Sequence, residues 1–406
     1  MAPLRVLVHD YGGHPFPVQL SRALARRGHT VLHVYSDSIV MPHGALTRRA
    51  DDAPGFAILP IALDSTIRRV SYFRRYFQEL RYGRLLADAI RKFAPDLVIS
   101  ANTPLEAQAS ALRATRAAGA KFIYWLQDIQ SVGFDLILRA RLGVAGRIAA
   151  RRFRALERNL LERSDRVVVI SASYRAVLED WRIDRRKVAL IENWASTDEL
   201  PVRPRDNDWA QAHGLVGKFC YLYAGSLGLT RNPELLVQLA QHHRGDPDVL
   251  VVVVSEGEVA EMLVRKKRAL GLDSLVLLPY QPYTALPDLM GSADVLVALL
   301  DAQAASFSVP SKVLSYLCAA RPLLLAIAQD NLAARIVAES GAGHVVHPDD
   351  VAGFLAAAAA LRDDHGARAG MAENGLRYAR KTFDLERIVN EFESLMAAPQ
   401  GPGDRT

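Results

Sequence analysis

Two cysteines in 406 residues, Cys220 and Cys318, are too few and too far apart for a disulfide scaffold, and they lack the spacing of a metal site. They fall in a strand pattern and a helix pattern and read as reduced core residues. No apolar run reaches transmembrane length. The start, Met1–Asp10, lacks the charged, apolar and cleavage-site order of a signal peptide, so a soluble or peripheral cytoplasmic protein is expected. Aromatic residues are scarce at 7%, yet half of the chain is hydrophobic, which excludes disorder and fits an Ala- and Leu-rich α/β protein. No DxD-like acidic pair stands at a strand end, so neither a metal nor a cofactor is expected.

What is present is a repeating alternation. Short Val-, Ile- and Leu-rich runs separate longer stretches of helical periodicity, the pattern of βα units on a parallel sheet. In the first half the strands are expected near Leu4–His9, Thr30–Tyr35, Phe56–Leu59, Asp96–Ser100, Lys121–Trp125, Arg166–Ile170 and Val188–Ile191. In the second they are expected near Phe219–Tyr223, Val249–Ser255, Leu275–Leu278, Val295–Leu299, Leu323–Ile327 and His344–Val346, followed by helices at Val351–Arg362, His365–Lys381 and Leu385–Ala397. A chain of this length exceeds a single core, and each half reads as one doubly wound domain. The seam is placed in the polar, Pro201- and Pro204-containing stretch between Asn193 and Asp208, giving domains 1–198 and 199–383 and a disordered tail at 401–406.

In the second half, Tyr223-Ala224-Gly225-Ser226 runs through Arg231 into a helix opening near Pro233. Glycines at such a turn let backbone amides approach an anion, and Arg231 can add a fixed charge; the plainer alternative is a glycine turn with a surface arginine. Ser255-Glu256-Gly257 and Pro279-Tyr280-Gln281-Pro282-Tyr283 close two further strands at the edge where open α/β sheets bind ligands, or are ordinary turns. The sharpest signal is Phe307-Ser308-Val309-Pro310-Ser311-Lys312-Val313-Leu314-Ser315-Tyr316-Leu317. Pro310 fits a first turn, Ser308 or Ser311 can cap it, and Ser311 with Lys312 at a helix start suits a phosphate; a capped surface helix is the alternative.

In the first half, His9-Asp10-Tyr11-Gly12-Gly13-His14 makes a glycine turn after the first strand, but without the spacing of a dinucleotide fingerprint. Gln127-Asp128 follows another strand, where Asp128 can orient a hydroxyl or take its proton, or simply fix the loop. The net charge of +6 is unevenly placed. Residues 67–92 carry Arg68, Arg69, Arg74, Arg75, Arg81, Arg84, Arg91 and Lys92 among Tyr72, Phe73, Tyr76, Phe77 and Tyr82, and a second basic run spans Arg139 to Arg163. Such faces suit an anionic membrane, or are solvated helix surfaces; no nucleic-acid motif accompanies them.

These pieces, with Gly28-His29-Thr30-Val31, Leu126-Gln127-Asp128 and Asn193-Trp194-Ala195, occur in an order that resembles the family 4 glycosyltransferases, and within them the bacterial colanic acid and exopolysaccharide enzymes. The resemblance implies a GT-B fold, two Rossmann-like domains facing a central cleft, with the last helix (384–400) completing the first domain. It implies a retaining transferase in cell-surface polysaccharide synthesis, acting at the inner face of the plasma membrane. A UDP- or GDP-sugar would lie against Gly225, Ser226, Arg231, Glu256, Tyr280, Gln281, Pro310, Ser311, Lys312 and Ser315. A glycan or polyprenyl-diphosphate-linked acceptor would meet Gly12, Gly13, His14, Gln127 and Asp128. Asp128, Arg231 and Lys312 would be the catalytic residues, since negative charge grows on the departing diphosphate. The chain departs from the family pattern at Ser226, where an arginine is common, at Gln127, where a histidine is common, and at Ala305 and Ser315, near two usual glutamates. A nucleotide-sugar epimerase and a non-catalytic binding module are the rival readings.

Overall fold

The computed structural model describes residues 2–39, 43–64, 72–228, 232–304 and 308–397, with only the backbone of 72–74 and 140–142. Arg68, Arg69, Arg231, Ala305, Phe307 and the tail 401–406 lie outside the described residues, as do the side chains of Tyr72, Phe73 and Arg74. The chain divides into two compact units, Met1–Glu192 with the segment from Leu385 onward, and Asn193–Asp384.

Unit one holds the strands β1 (Arg5–Asp10), β2 (Thr30–Ser36), β3 (Phe56–Ile61), β4 (Leu97–Ala101), β5 (Lys121–Leu126), β6 (Arg166–Val169) and β7 (Val188–Leu190). They form one parallel sheet in the order β3-β2-β1-β4-β5-β6-β7. Its helices are α1 (Pro15–Arg26), α2 (Tyr72–Phe93), α3 (Leu105–Ala117), α4 (Gln130–Arg163) and α5 (Ala172–Asp180). Every residue of β4 is buried, as a strand covered on both faces requires, which is why these strands read as unbroken apolar runs. The long helix α4 breaks at Gly143, whose φ of 52° and ψ of −119° no side chain would favour.

Unit two repeats the plan. Its strands β8 (Phe219–Ala224), β9 (Val249–Val254), β10 (Leu275–Leu278), β11 (Val295–Leu299), β12 (Leu323–Ala326) and β13 (Gly343–Val346) lie parallel in the order β10-β9-β8-β11-β12-β13. Around them run α6 (Asp208–Ala212), α7 (Glu234–His242), α8 (Glu258–Leu270), α9 (Leu286–Gly291), α10 (Lys312–Cys318), α11 (Leu332–Ser340), α12 (Val351–Asp363) and α13 (His365–Thr382). Val251, Val253, Val297 and Leu299 pack against Leu236 and Leu239 of α7 and Phe354 of α12 in one core. Cys220 and Cys318 are free thiols buried in β8 and α10.

The last helix, α14 (Leu385–Ala397), belongs to unit one. Phe392 is fully buried with its ring 4.9 Å from that of Trp125. Beside it, Arg27 reaches Glu393 at 2.6 Å and Asn390 at 2.6 Å, and His29 reaches Glu393 at 3.2 Å. Phe392→Ala should therefore lower the denaturant stability of unit one by about 3–5 kcal/mol, the usual cost of emptying a buried aromatic site. An unchanged unfolding midpoint would show that α14 is not part of that core.

Three buried groups of unit one set opposite pH limits. Burial holds the imidazoles of His9 and His33 down, to about 3 and about 4, although Asp10 pulls the other way. Both are held neutral, so their stabilisation is complete above the ordinary imidazole value and is lost as pH falls through those lowered ones. Glu157 is the reverse case, pushed up to about 7 by burial against the lowering effect of its hydrogen bonds to Ser131 and Gln130. Its stabilisation is complete below the ordinary carboxyl value and is lost as pH rises through 7. Between pH 4.5 and 8.5 the wild type should lose about 3 kcal/mol from this group, at about 1.4 kcal/mol per unit. Glu157→Gln should remove that slope in urea unfolding measured across the same range, and an identical slope in both proteins would contradict the assignment.

Candidate active site

Both sheets reverse their strand order beside their first strand, between β1 and β4 and between β8 and β11. At such a switch point the connections leave to opposite sides and open a crevice at the carboxyl ends. Most of the residues singled out from the sequence fall in the loops at these carboxyl edges.

In unit two, β8 ends at Ala224 and the chain turns at Gly225, whose φ of 114° suits glycine. Helix α10 lies over this turn because Lys312 and Tyr316, one helical turn apart, share a face. The buried Tyr316 hydroxyl accepts from the Ala224 amide at 2.9 Å and is 3.3 Å from its carbonyl oxygen. The Lys312 ammonium stands 3.4 Å from the centroid of the Tyr223 ring, and a Cβ built on Gly225 would lie 3.4 Å from that ammonium. The lysine thus lies along a turn with no side chain of its own. Tyr223 in turn donates to the Ser226 carbonyl at 2.8 Å.

Pro310 is buried, and Ser311, exposed, starts α10 without a side-chain capping bond, so the expected serine cap is not made. Ser315 is half-buried on the same helix. The stretch before α10 is tied down by Asn331, whose amide donates to the Ser308 carbonyl at 2.9 Å. At the next strand ends, the exposed Glu256 accepts from the Tyr280 amide at 3.0 Å, joining two of the expected loops. The Gln281 carboxamide accepts from the Trp209 indole at 3.2 Å and donates to the Pro279 carbonyl at 3.0 Å, so its side chain shapes the loop that carries it.

In unit one the switch point is built around a carboxylate. Asp10, the last residue of β1, is fully buried. It accepts from the His14 backbone amide, from His14 Nδ1 at 3.1 Å and from the Asn102 amide at 2.8 Å. Burial works against its charge, but His14 and Asn102 outweigh it and hold the carboxyl down at about 2. For His14 burial again opposes the charge, and the carboxylates of Asp10 and Asp128 raise the imidazole above its ordinary value. Beneath this pair, His9 is hydrogen-bonded to Ser100 at 3.0 Å, Thr103 at 3.0 Å and Tyr82 at 2.9 Å, a closed polar network under the glycine turn.

Asp128 is exposed at the end of β5, while its neighbour Gln127 is buried. The turn is pinned from three directions. Tyr174 donates to the Gln127 carbonyl at 3.1 Å, Gln130 donates to the Thr103 carbonyl at 2.7 Å, and Glu157 accepts from the amides of Gln130 and Ser131 at 3.0 and 2.9 Å. Glu157, Asn102 and Tyr316 are the contributors that sequence reasoning missed. Only Tyr316 carries a sequence signal, its place one turn after Lys312.

The basic segments also sort themselves. Tyr82 of α2 is fully buried against His9 and is a core residue, not part of a surface stripe, whereas Phe77 is 56% exposed. On α4, Val144 and Ile148 are 64% and 65% exposed, among Arg147, Arg151 and Arg152. No described helix is long and apolar enough to cross a membrane, and no cluster of three or more His, Cys, Asp or Glu that could hold a metal occurs among the described residues.

The two units match two family descriptions in turn, "Glycosyl transferase 4-like domain" over residues 12–194 and "Glycosyl transferases group 1" over residues 206–378. Among curated proteins, the chain is 24% identical to a putative colanic acid biosynthesis glycosyl transferase of Escherichia coli (strain K12), over 75% of this chain and 74% of that one. It is also 24% identical to a probable glycosyltransferase of Pseudomonas aeruginosa, over 68% and 67%. Among solved structures, the Anabaena protein HepE in complex with UDP-glucose matches with a TM-score of 0.70 at 16% identity, over 97% of this chain and 100% of that one. Two parallel α/β units of the GT-B class and two consecutive matches spanning both lead to one conclusion: the chain belongs to the group 1, family 4-like glycosyltransferases.

Proposed function

We propose that this glycosyltransferase takes a sugar, with retention, from a nucleotide diphosphate donor, UDP- or GDP-linked, and passes it to a polyprenyl-diphosphate-linked or glycan acceptor in cell-surface polysaccharide assembly. The observation that carries the donor side is the Lys312 ammonium lying along Gly225 at the unit-two switch point. A positive charge there, beside a turn with no Cβ, suits a diphosphate, whose negative charge grows as the glycosidic bond breaks. Arg231 is the proposed second cation, on sequence grounds. The acceptor is assigned to the carboxyl edge of unit one, at Gly12, Gly13, His14 and Asp128, with Gln127 acting through the fold of its turn. No step needs a metal or a cofactor. The polysaccharide context is that of the E. coli relative, named for colanic acid biosynthesis.

Thermal unfolding with UDP, GDP, dTDP and ADP tests the donor site. At a hundred times its dissociation constant the bound diphosphate adds about 2.7 kcal/mol, and Lys312→Ala should abolish the shift. No shift with any of the four would remove the basis for a nucleotide donor.

A lipid-linked acceptor calls for a protein at the inner face of the membrane, and the exposed Val144 and Ile148 among the arginines of α4 fit an anionic surface. In co-sedimentation, the protein should bind phosphatidylglycerol vesicles and not phosphatidylcholine vesicles, and Ile148→Asp should weaken that binding. Equal binding by wild type and variant would argue against this face.

A further inference from the structure

The break at Gly143 divides α4 into a short arm, 130–142, and a long arm, 144–163. Glu157 of the long arm meets the amides of Gln130 and Ser131, and Phe153 meets Phe134 at 4.9 Å between ring centroids. Arg154 stands 3.6 Å from Asp135, and a Cβ on Gly146 would overlap the Leu138 carbonyl oxygen. Partners on one arm recede as those on the other advance, so the two arms run antiparallel. They form a helical hairpin with its tip at Gly143, and its short arm starts at the turn that carries Asp128.

The head of the short arm has no cap of its own. Ile129 stands in the capping position without a polar side chain, and the first turn holds no acid. Glu157 supplies the missing acceptor from the long arm, one carboxyl oxygen on the Gln130 amide at 3.0 Å and the other on the Ser131 amide at 2.9 Å. The residue is fully buried. Asp128 lies between this clamp and the Gln127 carbonyl that Tyr174 holds at 3.1 Å. The backbone on both sides of the exposed Asp128 is thereby fixed.

Resting on the transferase reading, we propose that Glu157 is the positioning residue of the acceptor edge: as a neutral acid it holds the head of the short arm shut and keeps Asp128 in place to orient the acceptor hydroxyl, and losing its proton loosens that hold. Asp128 accepts a hydrogen bond in this role and takes no part in the displacement, so retention is untouched. The titratable groups facing Glu157 are Asp128 after β5, Tyr124 on β5 and Tyr174 on α5. Burial holds both phenols well above their ordinary value, so they stay neutral. For Glu157, burial pushes the acid up to about 7, its hydrogen bonds to Ser131 and Gln130 pull it down, and the Asp128 carboxylate adds to the rise. The buried Ser131 hydroxyl, at the same carboxyl group, offers an oxygen to the acid O–H. When the turn opens, Glu157 meets water and returns toward the ordinary carboxyl value. The shut turn is therefore the form that keeps the proton. Its advantage over the open form falls about tenfold per pH unit from the ordinary carboxyl value up to 7 and levels off beyond.

Two measurements on the full chain test this together. The first is hydrogen exchange of the Gln130 and Ser131 amides, corrected for their intrinsic rates and followed from about pH 5 to about pH 8.5. Protection should fall about tenfold per pH unit up to about 7 and then level off. Glu157→Gln should flatten that dependence, and Asp128→Asn should bring the levelling-off to lower pH. Protection that is flat in the wild type, that falls alike in Glu157→Gln, or that levels off at the same pH in Asp128→Asn would overturn the proposal. The second is nucleoside diphosphate release from UDP-glucose, UDP-galactose, UDP-N-acetylglucosamine and GDP-mannose across the same range, with water as the acceptor. Turnover of the wild type should bend near pH 7 and fall on the alkaline side. Glu157→Gln should lack the bend while keeping the diphosphate-induced thermal shift of unit two. If the wild type turns over and Glu157→Gln follows the same profile, the positioning role fails and the transferase reading stands. If the wild type releases no diphosphate from any donor, the transferase reading falls and takes the acceptor role with it, while the exchange data still decide whether Glu157 holds the turn.

Discussion

A single buried charge organises the first unit. The Asp10 carboxylate sits without exposure at the carboxyl end of the central strand, and a charge in that position survives only because every neighbour is arranged to satisfy it. The His14 amide and imidazole and the Asn102 carboxamide supply that satisfaction, and Asn102 adopts a φ of 52° at the end of β4 where it meets the carboxylate. Gly12 gives the imidazole its space. The turn after β1, the head of α1 and the end of β4 are therefore fixed by one group.

The same position in the second sheet carries the opposite character. Ala224 ends β8 as Asp10 ends β1, each in the first strand of its sheet and beside the switch point. Where unit one has a carboxylate, unit two has a peptide held by the Tyr316 hydroxyl, a bare glycine and a lysine lying across it. One fold has been given two charges at one topological place. On the proposed function, Lys312 supplies the positive charge for the donor diphosphate at the unit-two switch point, whereas the unit-one switch point carries the carboxylates of Asp10 and Asp128.

The strands are legible in the sequence almost to the residue, because both-face burial writes them as unbroken Val, Ile and Leu runs, and β10 and β11 coincide with the stretches expected. The start of α10 at Lys312 is legible for a similar reason, since a proline, a serine and a lysine ahead of an apolar helical pattern mark a helix start. What the sequence conceals depends on distance along the chain. Glu157 acts on a turn 26 residues earlier through two backbone amides, and no local pattern announces that. Tyr82 reads as one more aromatic in a basic stripe, but its hydroxyl closes the network on His9. Gln127 stands beside Asp128 in the sequence as an acceptor contact and is in fact buried, its carbonyl held by Tyr174.

The sorting of charge between the two switch points is the claim on which the functional picture depends. A crystal structure with a bound nucleoside diphosphate tests it most directly. The diphosphate should lie at the carboxyl ends of β8 and β11, within hydrogen-bond reach of Lys312 and the turn at Gly225. A diphosphate found instead at the Gly12–His14 turn of unit one would contradict it.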